Sequence, residues 1–351
     1  MTMHDSPGTD RVRTPSEGVF FADDLVTLLC GKADQVLADL PAGSVDCIVT
    51  SPPYYGLRDY QVEGQIGAEA TPALYVEALR AVFAQAWRVM ADHGTMWVVL
   101  GDSYSSGNRA ESNLAAWSAS NGRGGAHRVR EAQRGRHGCA DRPSKNVLGM
   151  PWRVAFALQD DGWILRNEII WAKPNPMPES VTDRLSCTHE QIFLFVKQRR
   201  YFFDLDPIRQ PHRMRHQCRP SGRPDDATPR LGQPKQTYST AARTEPGVDG
   251  HPAGRNPGDV WEIATVPFDA AHFAVFPPEI PRRAIAAGCR PGGVVLDMFS
   301  GSGTTGMAAA ELGHRYIGID LNPAYLELSL RTRLEQPSLL AEANRLTAEQ
   351  A

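Results

Sequence analysis

Nowhere in this 351-residue chain is there an apolar run approaching the roughly 20 residues of a membrane-spanning helix, and the opening MTMHDSPGTDRVRTPSEG lacks the apolar core of a secretory signal. A cytoplasmic protein with no membrane partner is expected. Cysteine is sparse: six residues, at positions 30, 47, 139, 187, 218 and 289, with no C-x-x-C pair, which argues against a zinc ribbon, a disulfide scaffold or any metal site. Basic charge is not in excess either. With 37 Lys and Arg against 40 Asp and Glu the net charge is −3, so the overall balance gives no argument for a polyanionic partner. No internal repeat is visible. What is there is an ordinary globular composition, 42% hydrophobic and 22% charged, in a chain long enough for one large domain or two modest ones.

The charge is unevenly placed. From Lys197 to Arg243 there are 11 basic residues against four acids, and from Asn121 to Lys145 seven against two. These islands fall in the two stretches with the weakest folding signal: residues 103–146, rich in Ser, Gly and Arg, and residues 198–258, poor in aliphatics and rich in Pro, Arg and Gly. Solvated surface loops and contacts to a polyanion are both open readings. The first stretch is expected to be a flexible insertion, the second a loop-rich recognition segment.

Elsewhere strand and helix patterns alternate. Residues 25–50 read as strand, short helix and the buried strand VDCIVT. Residues 72–91 carry apolar residues at helical spacing up to a stop at Asp92-His93-Gly94, ahead of the strand TMWVVLG. A short helix from Pro151 to Leu158 precedes the strands WILRNEIIWAK and QIFLFVK, and the last region has helices near 278–288, 304–312 and 323–334 separated by the strands VVLDMF and YIGID. This alternation predicts an α/β fold, a doubly wound and mostly parallel sheet covered by helices on both faces. The expected boundaries are a disordered tail over 1–20, one half of the domain over 21–197, the recognition segment over 198–258, the second half over 259–335 and a C-terminal tail over 336–351.

Within VVLDMFSGSGTTGMAAAELGHRYIGID (294–320), a Gly-x-Gly turn joins a buried strand to a helix. Gly301 and Gly303 allow close backbone approach to a ligand, and the start of the helix offers free N–H groups. The third glycine of a dinucleotide-binding turn is replaced by Thr305-Gly306, and the strand ends in Asp297 ahead of Phe299. An acid there suits a cationic, non-phosphorylated ligand better than a pyrophosphate. Asp320 closes the next strand 17 residues after Gly303, where a carboxylate can accept both hydroxyls of a ribose.

The strand VDCIVT ends abruptly in Ser51-Pro52-Pro53-Tyr54. Two prolines fix φ and remove two N–H donors, so the segment cannot extend a sheet ladder and leaves it as a rigid corner. Ser51 offers a hydroxyl acceptor, Pro53 a free carbonyl and Tyr54 a flat face, a set that can grip a planar group carrying an NH2. Taken alone, a proline-stiffened loop explains the tetrapeptide as well.

Together these residues resemble a known family. Ser51 to Tyr54 resembles the catalytic motif of DNA amino-methyltransferases, and DMFSGSGTT (297–305) resembles their S-adenosylmethionine motif. The order, catalytic tetrapeptide first and cofactor loop near the C-terminus, is similar to the permuted beta-type subgroup, and the resemblance runs from about residue 25 to 335. The segment HFAVFPPEIPRRAI (272–285) is similar to the block ahead of the family's glycine loop. One departure is Gly31-Lys32, where members often have Gly-Asp; Asp34 is a candidate substitute.

The resemblance implies a Rossmann-like methyltransferase fold. It implies S-adenosyl-L-methionine as cofactor, held by Phe276, Pro277, Asp297, Phe299, Gly301, Gly303, Thr304, Thr305 and Asp320, with Phe276 and Pro277 on the methionine side. It implies double-stranded DNA as substrate, the target base flipped out against Ser51, Pro52, Pro53 and Tyr54. Residues 198–258 then carry target recognition, with Arg213, Arg215, Arg219 and Arg223 against DNA. Ser at the head of the tetrapeptide is similar to N4-cytosine members, with N6-adenine as the alternative. C5-cytosine methylation needs a thiolate, which family enzymes supply as Pro-Cys, and none of the six cysteines follows a proline. RNA or protein methylation and a catalytically dead DNA-binding protein are more distant alternatives. A cognate restriction endonuclease is a candidate partner, and a monomer or homodimer is expected.

Overall fold

A computed structural model describes residues 18–57, 62–105, 142–212, 251–266 and 275–334. Its strands are β1 (Val19–Ala22), β2 (Val26–Cys30), β3 (Val45–Thr50), β4 (Met90–Leu100), β5 (Ile164–Ala172), β6 (His189–Val196), β7 (Val260–Glu262), β8 (Val294–Asp297) and β9 (Arg315–Asp320). The helices are α1 (Ala33–Asp39), α2 (Pro72–Val89), α3 (Met150–Asp160), α4 (Glu279–Gly288), α5 (Thr304–Glu311) and α6 (Pro323–Ser329), the last running into a π-helical turn over Leu330–Leu334. No helix among the described residues is long and apolar enough to cross a membrane.

The strands form one sheet in the order β1-β2-β9-β8-β3-β4-β6-β5-β7. Its central five strands are parallel, and β6 reverses the direction against both β4 and β5. Because side chains alternate across a strand, each strand feeds two cores. Ile48, Met96, Val98, Phe193 and Leu296 face α1, α2 and α3, while Val49, Trp97, Ile192 and Val295 face α4, α5 and α6. This is the α/β, doubly wound, mostly parallel architecture expected of the sequence.

Four details depart from the pattern read off the sequence. The stretch read as a tail through residue 20 contains the start of β1, whose Val19 and Phe21 pair antiparallel with the edge of β2; four residues with two exposed ends are too few to show alternation. The polar trio Asp92-His93-Gly94 is no turn. Strand β4 runs through it with a shift in register against β3, His93 Nε2 meets Asp46 Oδ1 at 2.8 Å, and a Cβ at Gly94 would fall 2.9 Å from the Asp46 carbonyl. The segment 198–258 begins as part of the domain: Phe203 stacks on Trp97, and the Phe202 and Asp204 N–H groups donate to His93 and Ala287 at 2.8 Å. The three-residue β7, Val260-Trp261-Glu262 with only Trp261 buried, extends the sheet past β5 and is too short to show as a strand in the sequence. The rest of that segment, 213–250, the insertion over 106–141, and the terminal stretches 1–17 and 335–351 lie outside the described residues, and with them Arg213, Arg215, Arg219 and Arg223.

Candidate active site

The chain leaves β8 toward β9 on one side and β3 toward β4 on the other, so the carboxyl ends of these two neighbours diverge and open a crevice at the switch point. A cavity of about 390 Å³ occupies it. Ser51 to Tyr54 line one wall, and Asp297 to Ser302 with Thr304 form the floor. Asp320 and Asn322 close the side toward β2, where Lys32 and Asp34 also reach the cavity, and Phe276 closes the side next to α4. The two sequence motifs, about 250 residues apart along the chain, thus face each other across one cavity.

The glycine turn is built as its sequence requires. Gly301 and Gly303 sit at φ +50° and +76°, and a Cβ at Gly303 would come within 2.9 Å of the Ser329 Cβ. Asp320 braces this turn from the next strand: its Oδ2 accepts the Gly301 N–H at 2.9 Å and its Oδ1 the Asn322 N–H at 2.8 Å. Burial pushes its carboxyl up to about 6, while those backbone donors pull the other way. Each oxygen keeps lone-pair capacity for a hydroxyl of a ligand.

Asp297 is a seam between the motifs. Its Oδ1 accepts the Thr50 hydroxyl at 2.7 Å and the Phe299 N–H at 3.0 Å, and its Oδ2 accepts the Thr305 hydroxyl at 2.7 Å. Thr305 also reaches the Val49 carbonyl at 3.3 Å. Burial raises the Asp297 carboxyl to about 6 against the pull of these donors. Its fully buried position leaves it one face on the cavity rather than a free carboxylate.

On the opposite wall the prolines turn the chain away from the ladder. The Pro53 carbonyl accepts the Tyr75 hydroxyl at 2.9 Å, which leaves one lone pair of that oxygen open. The Tyr54 ring lies across Gly101, where a Cβ would fall 2.5 Å from Tyr54 Cε2, so no other residue fits at the end of β4. The Tyr54 hydroxyl donates to Glu190 Oε2 at 2.6 Å, and Glu190 Oε1 accepts from Lys173 Nζ. Burial, followed by the charge of Glu190, pushes the Tyr54 phenol well above its ordinary value.

With this geometry in hand, comparison with known proteins decides the family. The model of the N6 and N4 DNA methylases matches residues 45–331. The type II methyltransferase M.XycI of Xanthomonas campestris pv. cyanopsidis is 39% identical over 92% of this chain and 91% of its own. This protein belongs to that DNA methylase family. Among solved structures, the PvuII DNA methyltransferase, described as cytosine-N4-specific, superposes with a TM-score of 0.59 at 15% identity, covering 93% of this chain and 95% of the other. A protein of Thermus thermophilus described as a DNA modification methylase and solved with S-adenosyl-L-methionine gives 0.52 at 23% identity, covering 88% and 95%.

The cofactor of the methylase is S-adenosyl-L-methionine, and the cavity fits it. Its volume is that of a small-molecule site, its floor is a glycine turn open to close approach, and its acids suit a ligand that carries positive charge and ribose hydroxyls. Of the residues expected to hold the cofactor, Phe276, Asp297, Phe299, Gly301, Thr304 and Asp320 line the cavity. Pro277, Gly303 and Thr305 lie behind it: Pro277 is buried with its carbonyl accepting the Ile280 N–H at 3.0 Å, Gly303 packs on Ser329, and Thr305 ties Asp297 to β3. Lys32, the departure at the Gly31 position, lies under the Gly64 turn, where a Cβ would come 2.4 Å from its Cε. The methylase site also holds groups that sequence reasoning missed, namely Tyr75, Gly101, Lys173 and Glu190. Only Glu190 carried a signal, as an acid heading the otherwise apolar strand QIFLFV.

Proposed function

We propose that this methylase transfers a methyl group to the exocyclic N4 amine of cytosine in double-stranded DNA, with the target nucleotide extruded into the cavity. The observation that carries the reading is the pair of neutral acceptors, the Ser51 hydroxyl and the open lone pair of the Pro53 carbonyl, on a wall shared with the acid-floored cofactor cavity. When bound, the cofactor supplies an electrophilic methyl on a positively charged sulfur.

The lone pair of an exocyclic amine is delocalised into the ring and is a poor nucleophile. Accepting its two N–H groups on Ser51 Oγ and the Pro53 oxygen favours a pyramidal nitrogen whose lone pair points out of the base plane. Tyr54 stacks on the base, and Pro52 keeps the corner rigid. Tyr54 stays protonated because its phenol is held far above neutrality, so it is no base in this scheme. The surplus proton leaves after transfer, to solvent. Extrusion costs a few kcal/mol, offset by stacking and phosphate contacts. Ser51 rather than an acid at the head of the tetrapeptide favours cytosine, and the reading is supported by the PvuII enzyme, a protein of similar fold described as cytosine-N4-specific. N6-adenine is the second reading, supported by the breadth of the family itself.

Target recognition falls to residues 198–258. Replacing Arg213, Arg215, Arg219 and Arg223 together is expected to weaken DNA binding and to reduce the slope of log affinity against log salt concentration by about 0.9 per lost phosphate contact. The test of activity is transfer of labelled methyl groups from S-adenosyl-L-methionine to duplex DNA by the purified chain. Transfer that disappears with Ser51→Ala and with Tyr54→Ala supports the proposal; transfer confined to RNA or protein, or no cofactor binding at all, overturns it.

A further inference from the structure

We infer that Glu190 is a positioning residue for methyl transfer: paired with Lys173, it fixes the plane of Tyr54 on which the target base stacks. The inference rests on the reading that Tyr54 receives that base. Three contacts carry it. Leu100 of β4 pairs with Gln191 of β6, so the next position along, Gly101, faces Glu190 across the ladder, and the Tyr54 ring fills the space that Gly101 leaves. The phenol hydroxyl then ends on Glu190 Oε2 at 2.6 Å. The other carboxylate oxygen is held by Lys173, whose ammonium also lies 4.4 Å from the centre of the Trp171 ring.

Lys173 and Glu190 keep only 19% and 18% of their side-chain surface exposed, so the pair is largely removed from water and its geometry is not that of a loose surface contact. Lys173 is itself anchored, its N–H donating to the Thr188 carbonyl at 2.8 Å beside the start of β6. A phenylalanine at position 54 offers the same stacking face and needs no buried carboxylate. The hydroxyl matters because it gives the ring a fixed end: the glycine below sets its height, and Glu190 sets its direction. A charge-assisted hydrogen bond of this kind restricts the ring to one orientation before any base arrives.

The experiment is a double-mutant cycle on the full chain, read as the single-turnover rate of methyl transfer to plasmid DNA, with cofactor affinity measured separately by calorimetry. Tyr54→Phe and Glu190→Ala are each expected to lower the rate about tenfold at unchanged cofactor affinity. The double variant is expected to be no slower than Tyr54→Phe alone, because losing the phenol hydroxyl already removes the Glu190 contact, together with the hydrogen bond to Ser51. Glu190→Gln, which keeps an acceptor for the phenol, is expected to recover part of the loss, and it completes the cycle if Glu190→Ala fails to fold. Losses that multiply in the double variant, or a Glu190 variant as fast as the parent chain, overturn the inference. A parent chain that transfers nothing to DNA overturns instead the functional reading beneath it.

Discussion

The hydroxyl of Tyr75, buried in the first turn of α2, donates to the carbonyl of Pro53 at 2.9 Å. An oxygen that the sequence offers as a free acceptor is therefore already half used, and the partner aims what remains. Tyr75→Phe deletes the donor and keeps the packing. It is expected to lower stability by about 1 kcal/mol, read as a midpoint shift in urea. Its single-turnover rate is expected to fall about tenfold with cofactor affinity unchanged, because the carbonyl loses its fixed direction.

Gly101→Ala places a Cβ 2.5 Å from Tyr54 Cε2 and forces the ring out of its seat. The expected outcome is a chain that folds and binds cofactor as before but transfers methyl groups at least tenfold more slowly. Calorimetry with the cofactor and a turnover assay on the same preparation check both halves.

Burial holds the carboxyls of Asp297 and Asp320 up near 6, above the usual carboxylate range. A raised folded value means that each acid binds its proton more tightly in the folded chain. The associated stability is present below about pH 4 and is lost as pH rises to about 6. Cofactor binding runs the other way, since a cationic ligand favours the ionised acids. Affinity is expected to tighten as pH rises from 5 to 6.5 and to level off above 7, with roughly one to two decades of change per pH unit at the acid end. Affinity that is flat from pH 5 to 8 contradicts this account.

Near the amino end of the central strand β3, Asp46 is buried beneath three partners: His93 Nε2 and Arg290 Nε, each at 2.8 Å from Oδ1, and the Val294 N–H at 2.8 Å from Oδ2. The carboxylate thereby joins β3, β4 and the entry to β8 at the end opposite the cavity. Asp46→Ala is expected to cost about 3 kcal/mol of stability, seen as a lower thermal midpoint, without changing cofactor affinity in the chain that remains folded.

The sequence revealed most where local pattern and chemistry coincide. The run VDCIVT followed by Ser51-Pro52-Pro53-Tyr54 reads as a buried strand that stops at its prolines, and the glycines between Asp297 and Thr305 read as a tight strand-to-helix turn. It revealed least where meaning lies in a contact between distant elements. Tyr75 reads as one more residue on an amphipathic helix until its hydroxyl meets Pro53. Asp297 reads as an acid facing a ligand until Thr50 and Thr305 are seen to hold both its oxygens. Asp92-His93-Gly94 reads as a turn because polar residues beside glycine usually make one; here a buried partner, Asp46, lets the strand continue through them.

The central claim is tested most directly by mass spectrometry of nucleosides from plasmid DNA propagated in a methylation-deficient host expressing the chain. The account predicts N4-methylcytosine with the intact chain and none with Ser51→Ala. N6-methyladenine or 5-methylcytosine in its place contradicts the assignment of the target base.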